Sequence, residues 1–238
     1  MIERYTLPEM GELWTEHYKL KTWLQVEIAV CEAQAELGYI PQAAVDTIKA
    51  KANFDPQRVL EIEKEVKHDV IAFLTNLNEY VGDAGRYIHL GMTSSDMLDT
   101  ALALQLVASL DVILGQLEHL VQAIRYQAQQ HRDTVMIGRS HGIHAEPITF
   151  GFKLAGWLAE VLRHRERLCM LHQRIAVGKI SGAVGTYANI DPQIEALACQ
   201  KLGLECLSCP LASGARRQSS PKATSFPNPY PSPSASVN

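Results

Sequence analysis

From about Ser95 to Gln130 the chain runs without a proline, and apolar residues fall at Leu98, Leu102, Leu106, Leu110, Ile113, Leu117, Val121 and Ile124. Steps of three and four residues put these side chains on one stripe of an α-helix. At 1.5 Å per residue the predicted rod is roughly 50 Å long. In its first half Leu104, Val107, Val112 and Leu114 add apolar groups on the other sides. A helix that is apolar all round has to be enclosed by other helices. This one segment therefore demands a helical bundle.

A second rod is predicted from about Thr149 to Ala176, with Phe150, Leu154, Trp157, Leu158, Val161, Leu168 and Ile175 on its stripe. Shorter helices surround the pair. Trp23, Leu24, Ile28, Cys31 and Ala35 recur at helical spacing up to Gly38. Asp55-Pro56 and Asp191-Pro192 each place an N-cap before a proline suited to a first helical turn. Val70, Phe73, Leu74, Leu77 and Val81 form a further series that stops at Gly82. Thr134 to Ile137 is the only plausible short strand, and no internal repeat is evident. The expected class is all-α. The remaining helices cannot easily surround two such rods, so helices of other chains are expected to, in an oligomer built through the bundle.

Composition changes near Glu205. Residues 206–238 hold six Pro, eight Ser and no acidic residue, a mixture that opposes helix and is predicted disordered. The expected organisation is a helical domain at 1–93, an incomplete central bundle domain at 94–205 and the Pro/Ser-rich tail at 206–238. The formal charge of -4 argues against a general nucleic-acid binder. Met97 to Gly115 is the best candidate for a membrane span, but Asp99, Gln105 and Asp111 break it, so no membrane segment is expected. Met1-Ile2-Glu3-Arg4-Tyr5 lacks the basic-then-apolar plan of a secretory signal. Five scattered cysteines read as reduced cytosolic thiols.

Four polar segments sit at helix ends, where chemistry is often carried. Lys67-His68-Asp69 could bind an anion and tune an imidazole; it also reads as a helix start with Asp69 as N-cap. In His89-Leu90-Gly91-Met92-Thr93-Ser94-Ser95-Asp96, Thr93 to Asp96 makes a capping box. The same hydroxyls and free amides suit a carboxylate or phosphate. Capping does not explain His89. In Gly138-Arg139-Ser140-His141-Gly142-Ile143-His144-Ala145-Glu146-Pro147, Gly142 and Pro147 oppose a helix that would aim both histidines at one metal. A general acid/base histidine is the preferred reading there. Gly178-Lys179-Ile180-Ser181-Gly182-Ala183-Val184-Gly185-Thr186 lacks the ending of a phosphate loop and fits a glycine-rich turn around a ligand or a neighbouring chain. Together they suggest an anionic substrate handled by acid/base chemistry, with no metal.

The order and spacing of these motifs, from Met1 to about Glu205, resemble the N-terminal half of the adenylosuccinate lyases, a family of the fumarase/aspartase superfamily. The resemblance implies a β-elimination without cofactor. Adenylosuccinate is cleaved to AMP and fumarate, and the succinylated carboxamide ribotide of purine synthesis is cleaved in the same way. It implies His141 as the general acid that protonates the leaving nitrogen. His68 would hold the substrate phosphate or orient the acid. Arg4 and Tyr5 would contact the nucleotide end, flanked by Lys67 and Asp69. Thr93 and Ser94 would hold the succinyl carboxylates, with His89 near the phosphate. Ser140 stands where the family often has Thr. A cytoplasmic homotetramer, each site drawing loops from three subunits, is also implied. The family's general base, a serine ahead of a Met-Pro-x-Lys-Arg-Asn-Pro run, has no counterpart here, so impaired activity and a truncated or frame-shifted product are expected. Two other readings stay open: a non-catalytic helical fragment that binds nucleotide or joins intact subunits, and a lyase for another fumarate-releasing substrate such as argininosuccinate. Lys67-His68-Asp69 and Arg4-Tyr5 favour the purine substrate.

Overall fold

Caps and glycines set most of the helix boundaries. The computed structural model describes residues 2–207, Glu3 by its backbone alone; beyond Cys206 and Leu207 the tail expected at 206–238 lies outside the described residues. A 3₁₀ turn at Glu3–Tyr5 leads to α1 (Pro8–Glu12), α2 (Glu16–Glu36), α3 (Gln42–Lys51), α4 (Pro56–Val66) and α5 (Asp69–Val81). A second 3₁₀ turn, Gly82–Tyr87, precedes the long α6 (Ser94–Gln130). Then come β1 (Val135–Ser140), β2 (Ile143–Thr149), α7 (Phe150–Ile175), β3 (Val177–Gly178), α8 (Pro192–Leu202) and β4 (Glu205–Cys206). The class is all-α. Asp55 accepts from the Gln57 N–H at 2.9 Å and Asp191 from the Gln193 N–H at 2.7 Å, each ahead of its helix-opening proline. Gly203 closes α8 with φ 71°, a conformation that suits glycine.

At α5 the cap is not the expected one. His68, extended at φ -151°, is the N-cap, and Asp69 is the first helical residue. The Asp69 carboxylate accepts from the adjacent Val70 N–H at 2.7 Å, where its charge also suits the positive end of the helix.

The segment between the rods departs further from expectation. Gly138–Pro147, where Gly142 and Pro147 oppose a helix, lies within an antiparallel hairpin, and the expected strand at Thr134–Ile137 begins at Val135 and continues to Ser140. His141 (φ 51°) and Gly142 (φ 76°) occupy the two turn positions between the paired residues Ser140 and Ile143. Two successive positive φ values make a type I′ turn, whose twist matches that of paired strands. The register shifts between Ile137 and Arg139, and a Cβ on the intervening Gly138 would lie 2.6 Å from the Glu146 carbonyl oxygen. Pro147 is tolerated because a two-stranded ribbon has only edges.

The core gathers around α2. Leu20, Trp23, Val26 and Val30 meet Phe73 and Leu77 of α5, Met97 and Ala101 of α6, and Ile194 and Ala198 of α8. Trp23 meets Phe73 edge to face, with ring centroids 5.4 Å apart. α6 enters this core through Met97, Thr100, Ala101 and Gln105, a small and partly polar face. Part of its apolar surface lies outside: Leu102, Ile113 and Leu120 are 44%, 41% and 46% exposed. α7 returns antiparallel along α6, tied by Arg165 to Glu118 at 2.9 Å and by His172 to Asp111 at 3.0 Å. It buries Gly151 and Leu154 and leaves Phe152, Trp157, Met170 and Leu171 exposed. By length and composition α6 could cross a membrane. Its buried Asp96, Thr100 and Gln105, however, bond Lys179 and the Leu13 carbonyl, which marks a helix packed against protein.

Candidate active site

The start of α6 is held by one carboxylate. Asp96, with no exposed surface, accepts from the Thr93 N–H at 3.0 Å and closes the expected capping box. It also accepts from Lys179 Nζ at 2.8 Å, Ser181 N–H at 3.1 Å and Gly182 N–H at 3.1 Å. A buried carboxylate needs such donors, because losing its water without them costs several kcal/mol. Thr100 adds two bonds of 3.0 Å to the backbone of Lys179. From α8, the buried Glu195 accepts from the Ile180 N–H at 2.7 Å and the Tyr187 hydroxyl at 2.8 Å. The glycine-rich segment 178–187 is thereby stitched to the first turns of α6 and α8. Thr93 and Ser94 stand beside it.

His89 belongs to the same corner. Its N–H donates to Glu27 Oε2 at 3.0 Å, and its Nδ1 lies 2.6 Å from Glu27 Oε1. Burial pulls the imidazole pKa down, but the hydrogen bond and charge of Glu27, with Asp96 behind, more than reverse this and raise it. α2 holds the neighbouring backbone as well: Gln34 donates to the Leu90 carbonyl at 2.8 Å, and the Cys31 thiol, its pKa pushed up to about 12 chiefly by burial, faces the Tyr87 carbonyl. Gly91 allows a close approach, since a Cβ there would lie 2.4 Å from the Asn189 oxygen.

The other expected residues sit elsewhere. Lys67 ends α4 with φ 56°, exposed. His68 Nδ1 makes a long 3.5 Å contact with the Ile71 N–H and lies 3.4 Å from Asp69 Oδ1, so both partners are local. Arg4 lies over the ring of Tyr5, 4.8 Å from its centroid, and both are exposed. His141 projects from the exposed hairpin tip. That hairpin follows the far end of α6, about 55 Å from Thr93. Strands of six or seven residues span about 20 Å, so even a hairpin folded straight back could not reach Thr93. Within one chain, His141 and the His89–Thr93 corner do not meet. Neither a groove of about 430 Å³ beside Arg125, Arg132 and Phe152 nor one of about 320 Å³ between α2, α6 and α8 contains a candidate residue.

Among the described residues, four that are not glycine take positive φ: Lys67, His89, His141 and Tyr187. One falls in, or directly beside, each of the four motifs. Such backbone costs on the order of 1–3 kcal/mol per residue and persists where surrounding structure imposes it, often at functional sites. Glu27, Asp96 and Glu195 were not candidates from sequence. Asp96 reads there as a cap alone, and nothing local marks Glu27 or Glu195.

A family model described as lyase matches residues 3–219. A protein named adenylosuccinate lyase from Synechocystis sp. is 86% identical over 205 residues. Proteins of the same name from Bacillus subtilis and Aquifex aeolicus are 51% and 50% identical. Each comparison takes in 86% of this chain and 48% of the relative, so the chain spans about half the length of the curated relatives it matches. Among solved structures, fumarate lyase from Mesorhizobium sp. is similar with a TM-score of 0.78 at 33% identity, over 83% of this chain and 48% of the other. β-Carboxy-cis,cis-muconate cycloisomerase from Acinetobacter calcoaceticus gives 0.79 at 30% identity, over 85% and 50%.

Proposed function

The chain belongs to the lyase family, and on that premise we propose that it carries one half of the catalytic apparatus of an adenylosuccinate lyase. The reaction is a β-elimination. A base removes the proton beside a carboxylate, the carbon–nitrogen bond breaks, fumarate leaves, and an acid protonates the departing nitrogen to give AMP. The succinylated carboxamide ribotide is the second substrate. His141, on a narrow exposed turn, is the general acid. His68 holds the phosphate or orients that acid, and Lys67 and Asp69 flank it. Arg4 and Tyr5 meet the nucleotide end. Thr93 and Ser94, at the positive end of α6, bind the succinyl carboxylates. His89 faces the phosphate.

The observation that carries this reading is the coincidence of strained backbone with all four motifs: Lys67, His89 and His141 within theirs and Tyr187 at the edge of the fourth. The separation of His141 from Thr93 along α6 fits a site completed between chains. Copies of this chain, or of full-length relatives, assemble through the exposed apolar residues of α6 and α7, as a tetramer in the cytoplasm. The division at 93–94 separates the helical domain that carries the Lys67–Asp69 motif from the bundle segment that carries Thr93–Ser94 at its start and His141 beyond it.

The test is complementation. This chain is mixed with a full-length adenylosuccinate lyase whose equivalent of His141 is alanine, and AMP formation is followed by absorbance. Each partner alone is expected to be at least about 100-fold slower than an intact enzyme, as for loss of an acid or base group. Turnover restored in the mixture supports the proposal. A mixture that assembles but stays inactive overturns it and favours a non-catalytic fragment. Turnover of argininosuccinate alone would reassign the substrate.

A further inference from the structure

Glu27 lies on α2 with 1% of its surface exposed, between the core residues Val26 and Val30. Both its oxygens are spent on a single residue 62 positions away: Oε2 receives the His89 N–H at 3.0 Å, and Oε1 lies 2.6 Å from Nδ1. A carboxylate only accepts, so the proton of that second bond sits on Nδ1. The Nε2 atom has no hydrogen-bond partner among the described residues, and the ring side chain is 16% exposed. The backbone at His89 is held at φ 65°, and the bond to its N–H is one of the restraints that keep it there. The charged groups that face the ring are Glu27 from α2 and Asp96 from α6, the latter paired with Lys179.

We propose that Glu27 is a positioning residue for His89: it holds the proton on Nδ1, favours the cationic ring, and leaves Nε2 as the donor to the anionic group of the substrate. The inference rests on the reading of His89 as an anion-facing side chain. A merely structural tie between α2 and the 87–93 loop would fix the proton on Nδ1 as well but would not engage an anion at Nε2, and that difference can be measured.

The experiment uses the full chain with ¹⁵N-labelled histidine, the His89 signal being assigned by its loss in His89→Asn. The wild-type ring is expected to carry its proton on Nδ1 when neutral, to titrate above the free value, and to shift at Nε2 when inorganic phosphate is added. Glu27→Gln keeps the shape but offers one acceptor and one amide donor. The ring is then expected to titrate at lower pH, to move its neutral proton to Nε2, and to bind phosphate about tenfold more weakly. Glu27→Asp restores part of the wild-type signature. An unchanged titration in a folded Glu27→Gln chain overturns the proposal. So does a wild-type ring protonated only on Nε2, an outcome that needs no variant to fold. A wild-type ring that ignores phosphate removes the anion-facing role. Failure of complementation with the Nδ1 and phosphate signatures intact removes the adenylosuccinate assignment and leaves the Glu27 role standing.

Discussion

At the residue scale the pairing of the half-buried His89 with the buried Glu27 makes stability depend on pH. The folded-state pKa of His89 is raised, so the ring binds its proton more tightly in the folded chain than in the unfolded one. The stabilisation is therefore full below the unfolded value near 6.5 and is lost as pH rises through the higher folded value. Urea midpoints of the wild type should fall between pH 6 and pH 9 by more than those of Glu27→Gln. Parallel slopes for the two chains would refute the linkage. The histidine itself is legible in the sequence, because capping explains the hydroxyls beside it and leaves the imidazole unexplained. Its partner is not. Glu27 stands in a helical run that gives no sign of a buried carboxylate, and a contact across 62 positions leaves no local mark. The left-handed conformations of Lys67, His89, His141 and Tyr187 are equally invisible, since their residue types do not announce positive φ as glycine does.

At the element scale two junctions set the geometry. Asp96 joins the start of α6 to the glycine-rich segment, and Asp96→Ala strands the partly buried Lys179 ammonium and the amides of Ser181 and Gly182. Chemical denaturation should record a loss of about 3–5 kcal/mol, the usual cost of breaking a buried pair. A loss below 1 kcal/mol would mean that the segment is anchored by Glu195 and Thr100 alone. The second junction is Gly151, where α7 leaves the hairpin. A Cβ there would meet backbone at the end of α6, 2.5 Å from the Ala128 oxygen and 2.7 Å from the Arg132 Cα. Gly156, one and a half turns on, has open space around it. Gly151→Ala should destabilise by about 1–3 kcal/mol through overpacking. Gly156→Ala should instead stabilise by up to about 1 kcal/mol through helix propensity. Equal effects would show that the close approach is not maintained in solution. The helices themselves are readable because aspartate–proline starts and glycine ends are local signals. The hairpin is not, because a His-Gly pair at the turn positions lacks the usual Asn-Gly or Asp-Gly signature.

For the whole molecule the deciding feature is the apolar surface that one chain leaves uncovered. Ile113 on α6 and Trp157 on α7 belong to stripes whose spacing already demands a bundle, and Leu120, Phe152 and Met170 add apolar surface beside them; all five are more than two-fifths exposed. Large exposed apolar patches mark interaction surfaces, and these two helices supply side chains for one. Replacing both Ile113 and Leu120 by lysine tests the point directly. The fold of the single chain should barely change, since exposed substitutions usually stay within about 0.5 kcal/mol. Light scattering of the wild type should report association. The double variant should be monomeric with the same helical circular dichroism. It should also fail to restore turnover to the complementing lyase if, as proposed, association brings the hairpin carrying His141 to another chain's Thr93. A wild-type monomer, or a double variant that associates and complements normally, would place the interface elsewhere and dissolve the link between the bundle stripes and the site.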